Sequence, residues 1–113
     1  MYREITLKTL HGDDKVFKFL ASGATAYRYE QLFHEDLMTK LQGMEKNTDY
    51  TVGDKLAFIM NAQASGKDMK KLNYDSFIEW LEQLESSEIL AHMEEIVGLY
   101  LGTKVTNSIP KKE

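Results

Sequence analysis

The chain of 113 residues contains no cysteine. That removes disulfide scaffolds, thiolate zinc sites, iron–sulfur clusters and thiol nucleophiles together, and it fits a reducing compartment. Long apolar runs are also missing, since a bilayer-spanning helix needs about 20 predominantly apolar residues and the runs here are far shorter. The opening MYREITLK carries charges and alternation where a signal peptide would carry an apolar block. A cytosolic protein without a membrane partner is the expectation. Basic residues are outnumbered, with 14 Lys and Arg against 18 Asp and Glu and a net charge of −4. Affinity for a phosphate backbone comes from clustered cations that release counterions, so no nucleic-acid partner is expected.

What is present is a globular composition, with 42% hydrophobic, 28% charged and 11% aromatic residues, in a length that suits one domain. The acids are unevenly placed. Asp75, Glu79, Glu82, Glu85, Glu88, Glu94 and Glu95 follow one another with no Lys or Arg between them, which reads as a solvated helix side or a docking surface for a basic segment.

Two periodicities divide the chain. Residues 2–21 alternate as a β-hairpin, with Arg3, Ile5, Leu7 and Thr9 on one face, Phe17, Phe19 and Ala21 on the corresponding face of the second strand, and a turn at His11-Gly12-Asp13-Asp14. A two-stranded ribbon is marginal alone, so it must pack on something. Ser22 to Thr25 breaks the strand and offers helix caps. Tyr29, Leu32, Phe33, Leu37, Leu41 and Met44 then recur at helical spacing, predicting one amphipathic helix of about five turns that Gly43 and the polar residues 45–49 close.

A second helix is predicted from Tyr50, with Thr51 and Asp54 in capping-box relation and Val52, Leu56, Ile59, Met60 and Gln63 on one face. Gly66, Lys67, Lys70 and Lys71 read as a loop. A third helix is capped by Asn73 or Ser76 and buries Phe77, Trp80, Leu81 and Leu84. A fourth, capped by Ser86 or Ser87, buries Ile89, Met93, Ile96, Val97 and Tyr100 and ends at Gly102. The fold class expected is therefore α+β, predominantly helical: an N-terminal β-hairpin followed by about four amphipathic helices in a single domain over residues 1–102, with residues 103–113 a flexible tail that frays.

Catalytic and metal motifs fail on inspection. His34-Glu35 begins like a zinc-protease motif, but the second histidine's place holds Met38. Ser65-Gly66-Lys67-Asp68 resembles the end of a phosphate loop, yet Asn61 and Asp68 stand where Gly and Ser or Thr are required. There is no GxSxG elbow and no GxGxxG. His11, His34 and His92 lie in separate segments, and the acid pairs Asp13/Asp14, Glu35/Asp36 and Glu94/Glu95 are mere sequence neighbours, so no acid–base pair is separated in pKa. Neither an enzyme nor a cofactor or metal is expected. The internal methionines read mainly as core filling.

Other features point outward. Tyr27 and Phe58 lie off the main apolar faces of their helices, and Ile78, Leu90 and Leu99 flank theirs. This is more apolar surface than so small a core easily encloses, which suggests self-association or a helical partner. The expected partner contacts are the acidic side formed by Glu79, Glu82 and Glu85, together with Tyr27 and Phe58.

The order of elements and several strings resemble the small tail assembly chaperones of long-tailed bacteriophages and prophages of Gram-positive hosts. The strings are KVFKFLASGATAYRYEQLFHEDL, DKLAFIMNAQA from Asp54 to Ala64, and YDSFIEWLEQLESSEIL. The resemblance implies a non-enzymatic, self-associating protein that coats the helical tape measure protein and helps recruit major tail protein. It implies action in the host bacterial cytoplasm and absence from the mature virion. It also implies a minor extended form, made by programmed ribosomal frameshifting, that engages tail-tube subunits. Pro110-Lys111-Lys112 can be encoded with the slippery string A-AAA-AAG, so a backward slip of one nucleotide is predicted at the Lys111 and Lys112 codons. The alternative is a small phage structural or regulatory protein-interaction module.

Overall fold

A computed structural model describes residues 1–47 and 50–108, with side chains placed for 1–44 and 50–102. The element order is β1 (Tyr2–Lys8), β2 (Asp14–Leu20), α1 (Thr25–Phe33), α2 (Leu37–Asn47), α3 (Thr51–Ala64), a 3-10 turn (Met69–Lys71), α4 (Tyr74–Glu82), α5 (Glu88–Ala91) and α6 (Met93–Ser108). The class is α+β and mostly helical, with the hairpin at the N-terminus.

β1 and β2 pair antiparallel, with Ile5 opposite Phe17 and Arg3 opposite Phe19. Alternation sends Ile5, Leu7, Phe17 and Phe19 into the core, while Glu4, Val16 and Lys18 face solvent. Each of those buried side chains contributes about 1.5–3 kcal/mol of transfer free energy. The turn closes through the Thr9 N–H, which donates to the Asp13 carbonyl at 2.7 Å. Gly12 takes a φ of 88° there, a conformation that a Cβ would penalise.

The hairpin's apolar face packs on α3, which runs through the middle of the molecule and also meets α1, α4 and α6. α3 is therefore covered nearly all round. Leu56, Ala57, Phe58, Ile59, Met60 and Ala62 are all buried, where the sequence predicts a single buried face. Its C-terminal half closes the outer edge of β2. The Asn61 amide donates to the Lys18 carbonyl at 2.9 Å, and the Gln63 amide donates to the Leu20 carbonyl at 2.7 Å and to Thr25 Oγ1 at 2.9 Å. With these two carbonyls taken, the Leu20 end of that edge is less open to pairing with another strand. At the other edge the end of β1 is paired by residues 83–85: Leu10 N–H donates to the Gln83 carbonyl, Glu85 N–H donates to the Lys8 carbonyl, and Thr9 bridges Leu84.

Several boundaries differ from the sequence expectation. The single helix predicted through Met44 is two helices. α1 ends at His34, which adopts a left-handed φ of 58° and donates its N–H to the Glu30 carbonyl. α2 restarts from Asp36, whose carboxylate accepts from the Thr39 N–H at 2.9 Å and hydroxyl at 2.6 Å. Likewise the predicted fourth helix divides at His92 into α5 and α6. Gly43 lies inside α2 and Gly102 inside α6, so neither ends its helix; a helix-interior glycine costs about 1 kcal/mol relative to alanine without stopping propagation. α6 continues across part of the stretch expected as a tail, and residues 109–113 lie outside the described residues, as do 48 and 49. Thr51 is the first residue of α3, one place past the cap at Tyr50 that a capping box would need it to occupy.

Candidate interaction surfaces

α4 is held by a capping box at its start: the Asn73 side chain accepts from the Ser76 N–H at 2.9 Å, and Ser76 Oγ accepts from the Asn73 N–H at 3.2 Å. Its inner side is aromatic. Phe77 and Trp80 lie 5.6 and 5.7 Å from the Phe58 ring, and Trp80 meets Phe17 edge-on at 6.0 Å. The Trp80 indole N–H donates to Asn61 Oδ1 at 2.9 Å, which fixes the rotation of the helix.

With Phe77 and Trp80 inward, the opposite side of α4 presents Ile78, Glu79 and Glu82 to solvent. The bridge between Thr9 and Leu84 brings the exposed Leu10 beside this side. Leu10, Ile78, Leu81, Glu82 and Glu85 line one shallow apolar hollow, which the two carboxylates edge. Leu10 is 58% exposed and Ile78 37%. Lys15 reaches the same end of α4 by donating to Gln83 Oε1 at 3.3 Å. Such a surface suits an amphipathic segment that carries apolar residues on one side and cations beside them.

The remaining predicted contact residues fall elsewhere. Tyr27, on α1, is 75% exposed and borders a hollow with Met1, Ala26, Met38 and Tyr100. That hollow is at the Met1 end of the hairpin, whereas Glu85 bonds the Lys8 end, so a strand length of roughly 20 Å separates them. The glutamates and Tyr27 do not form one surface. Phe58 is a correction to the sequence expectation: it is 4% exposed, enclosed by Phe77 and Trp80, and presents nothing to a partner. It lies off the predicted face of α3 because α3 has no free face. Leu99, expected at the margin of its helix, is also buried, while Leu90 is 49% exposed.

A further groove of about 850 Å³ opens between α2 and the α5–α6 pair, lined by Leu41, Met44, Leu90, Met93, Val97 and Leu101. The sequence assigns Met93 and Val97 to the core, and both are only partly buried. Their spacing with Leu90 and Leu101 was the available signal for a second outward face. Met93 reaches inward as well, since its thioether lies where a Cβ on Gly53 would be, so α3 and α6 approach closely at that point.

The polar clusters are structural in geometry. Glu35 accepts from the Tyr29 hydroxyl at 2.7 Å and from Lys55 Nζ at 3.1 Å, with Lys40 Nζ at 3.9 Å, and so ties the turn after α1 to α3. Burial alone would raise its pKa, but these hydrogen bonds and positive charges outweigh that and hold the carboxyl below its ordinary range. His92 sits between Glu95, 2.8 Å from Nδ1, and Glu88, 3.3 Å from Nε2, at the junction of α5 and α6. The two carboxylates oppose different ring nitrogens, which is not the convergence a metal ion requires. Among the described residues there is no group of three or more metal-ligating side chains, and no helix is long and apolar enough to cross a membrane. Comparison with family models, curated proteins and solved structures finds no match to this chain.

Proposed function

We propose that this protein is a non-enzymatic escort of the tail assembly chaperone type, which binds helical segments of a tape measure protein and keeps them soluble until tail-tube protein encloses them. The observation that carries the reading is the outer side of α4, where Leu10, Ile78 and Leu81 form an apolar hollow edged by Glu82 and Glu85, with Glu79 exposed nearby. An amphipathic helix with cations beside its apolar stripe is the complement of that surface. The sequence resemblance supplies the partner's identity. It also supplies the expected longer product that would engage major tail protein, through a slip at the Lys111 and Lys112 codons; those residues lie outside the described ones.

The test is capture of a tape measure fragment by the purified chain and by Ile78→Asp and the pair Glu82→Lys/Glu85→Lys. All three positions face solvent, so folding should be kept, and circular dichroism checks it. Loss of capture with folding intact supports the reading. Unchanged capture removes α4 from the contact surface, and failure of the unaltered chain to capture any tape measure fragment overturns the escort function. A tail chaperone should also be missing from purified particles, where a structural component would be stoichiometric.

A further inference from the structure

In an acidic chain, the cations left without a counter-charge gather on one side of α1. Among the described residues, ion pairs take up Arg3, Lys8, Lys40, Lys55 and His92, and none of Arg28, Lys67, Lys70 or Lys71. The three lysines stand exposed on the segment between α3 and α4, and Arg28, half-buried on α1, shares a hollow with Lys70. The hollow measures about 320 Å³, at the small end of ligand-sized cavities. The rest of its wall is mainly apolar, with Leu32 from α1, Ile59 from α3, and Met69 and Leu72 from the 3-10 turn and the residue after it. Both cations are set in place by the fold. The Gln63 amide is anchored on the Leu20 carbonyl and Thr25 Oγ1, and its oxygen accepts from Arg28 Nη1 at 3.3 Å. That partner is neutral, so it aims the guanidinium without answering its charge. Lys70 is carried by a turn that Asp68 caps, the carboxylate accepting from the Lys70 backbone N–H at 3.1 Å. A half-buried cation beside apolar side chains has given up part of its hydration, which an anion of matching shape replaces.

We infer that this hollow takes an acidic side chain of a partner peptide, with an adjacent apolar residue of the same peptide seated against Leu32, Met69 and Leu72. A carboxylate matches the planar fork of Arg28, and Lys70 adds a second positive charge at the same opening. The apolar wall decides between kinds of anion, because it offers nothing to a bare phosphate and a seat to the side chain next to a glutamate or aspartate. Charge on either side decides against a polyanion. Asp68 and Asp75 are exposed around the basic segment and the chain as a whole carries −4, so a nucleic-acid strand running past the hollow would meet repulsion as soon as it left these cations. A short acidic and apolar peptide need not extend that far. The hollow shares no residue with the one on α4 and is of opposite sign, so it stands or falls apart from the escort reading.

The experiment is a titration of the isotope-labelled full chain with a short acetylated and amidated peptide of alternating leucine and glutamate, followed by NMR. The Arg28 side-chain N–H and the methyl groups of Leu32, Ile59, Met69 and Leu72 should move together along one binding curve, and binding should weaken as salt is raised. Replacing the peptide's glutamates by glutamine should raise the dissociation constant at least about tenfold, and so should Arg28→Met. Lys70→Gln should raise it about fivefold. Lys70 is exposed, so this variant keeps the fold and tests the hollow even if Arg28→Met does not fold. Methyl groups that stay unmoved at saturating peptide overturn the inference, as does a glutamine peptide that binds equally well or a Lys70→Gln chain with unchanged affinity. Inorganic phosphate or a single-stranded oligonucleotide that moves the same signals at lower concentration than the peptide makes this a phosphate site and overturns the peptide assignment.

Discussion

Asn61 is where the sheet, α3 and the tryptophan meet. Its amide donates to the Lys18 carbonyl and its oxygen accepts from the Trp80 indole, both at 2.9 Å, with the side chain nearly out of reach of water. Replacing it by leucine keeps the volume but leaves a carbonyl and an indole N–H unpaired. Asn61→Leu should therefore lower stability by about 1–3 kcal/mol, read as a fall in the urea midpoint of the emission of Trp80, the only tryptophan. Glu35 makes a prediction of the opposite kind, visible only against pH. Its carboxyl is held below the ordinary value of 4.5, so its contribution is fully present above that value and is lost as pH falls through the lower folded-state value. Asp54 runs the other way: burial raises its pKa, so its charged form opposes folding and acidification relieves it. Glu35→Gln should cost about 1–2 kcal/mol at neutral pH and flatten the decline in stability below pH 4.5, as urea titrations at stepped pH would record.

Helix ends show how far element structure depends on one or two residues that leave the apolar spacing untouched. Tyr29, Leu32, Phe33, Leu37 and Leu41 read as one stripe, yet the stripe is carried by two helices, because His34 turns left-handed and Asp36 caps a new start. A left-handed residue with a Cβ is strained relative to glycine. His34→Gly should thus raise stability by about 0.5–1 kcal/mol, measured as an upward shift in the urea midpoint, even though glycine elsewhere in these helices would lower it. This break also marks what was legible in the sequence. The hairpin, its turn at Gly12, the Asn73 cap and the inward Trp80 were readable because each rests on local chemistry: alternation, positive φ, a polar cap, one large ring. So was the exposure of Tyr27, Ile78 and Leu90. The burial of Phe58 was not, because a helix covered on every side shows no single face from which to be off. The α2–α5–α6 groove was hidden for the converse reason: Met93 and Val97 have the spacing of core residues, and only the placement of α2 leaves them half open.

At the scale of the whole molecule both outward surfaces rest on one buried element. α4 lies on α3 through Phe58, Phe77 and Trp80, and α6 lies on α3 where Gly53 accepts Met93. Outward surfaces built this way are stable only as far as α3 is, which separates two ways a variant could lose the proposed capture that a binding assay alone would confuse. Phe58→Ala removes a ring enclosed by two others and leaves a void that the well-packed α3 can only partly close, so it should cost about 3–5 kcal/mol. Trp80, 5.7 Å from that ring, should report the loss as a lower urea midpoint and a more solvent-exposed emission. Capture of a tape measure fragment by Phe58→Ala should fall only in proportion to the unfolded fraction and should recover when a stabilising osmolyte refolds the protein, since the Phe58 ring is buried beneath Phe77 and Trp80. Ile78→Asp should do the reverse, losing capture at an unchanged midpoint and regaining none with osmolyte. If Phe58→Ala, fully refolded, still failed to capture, α3 would be transmitting more to the surface than stability, and α4 would have to be repositioned by the loss of the ring beneath it.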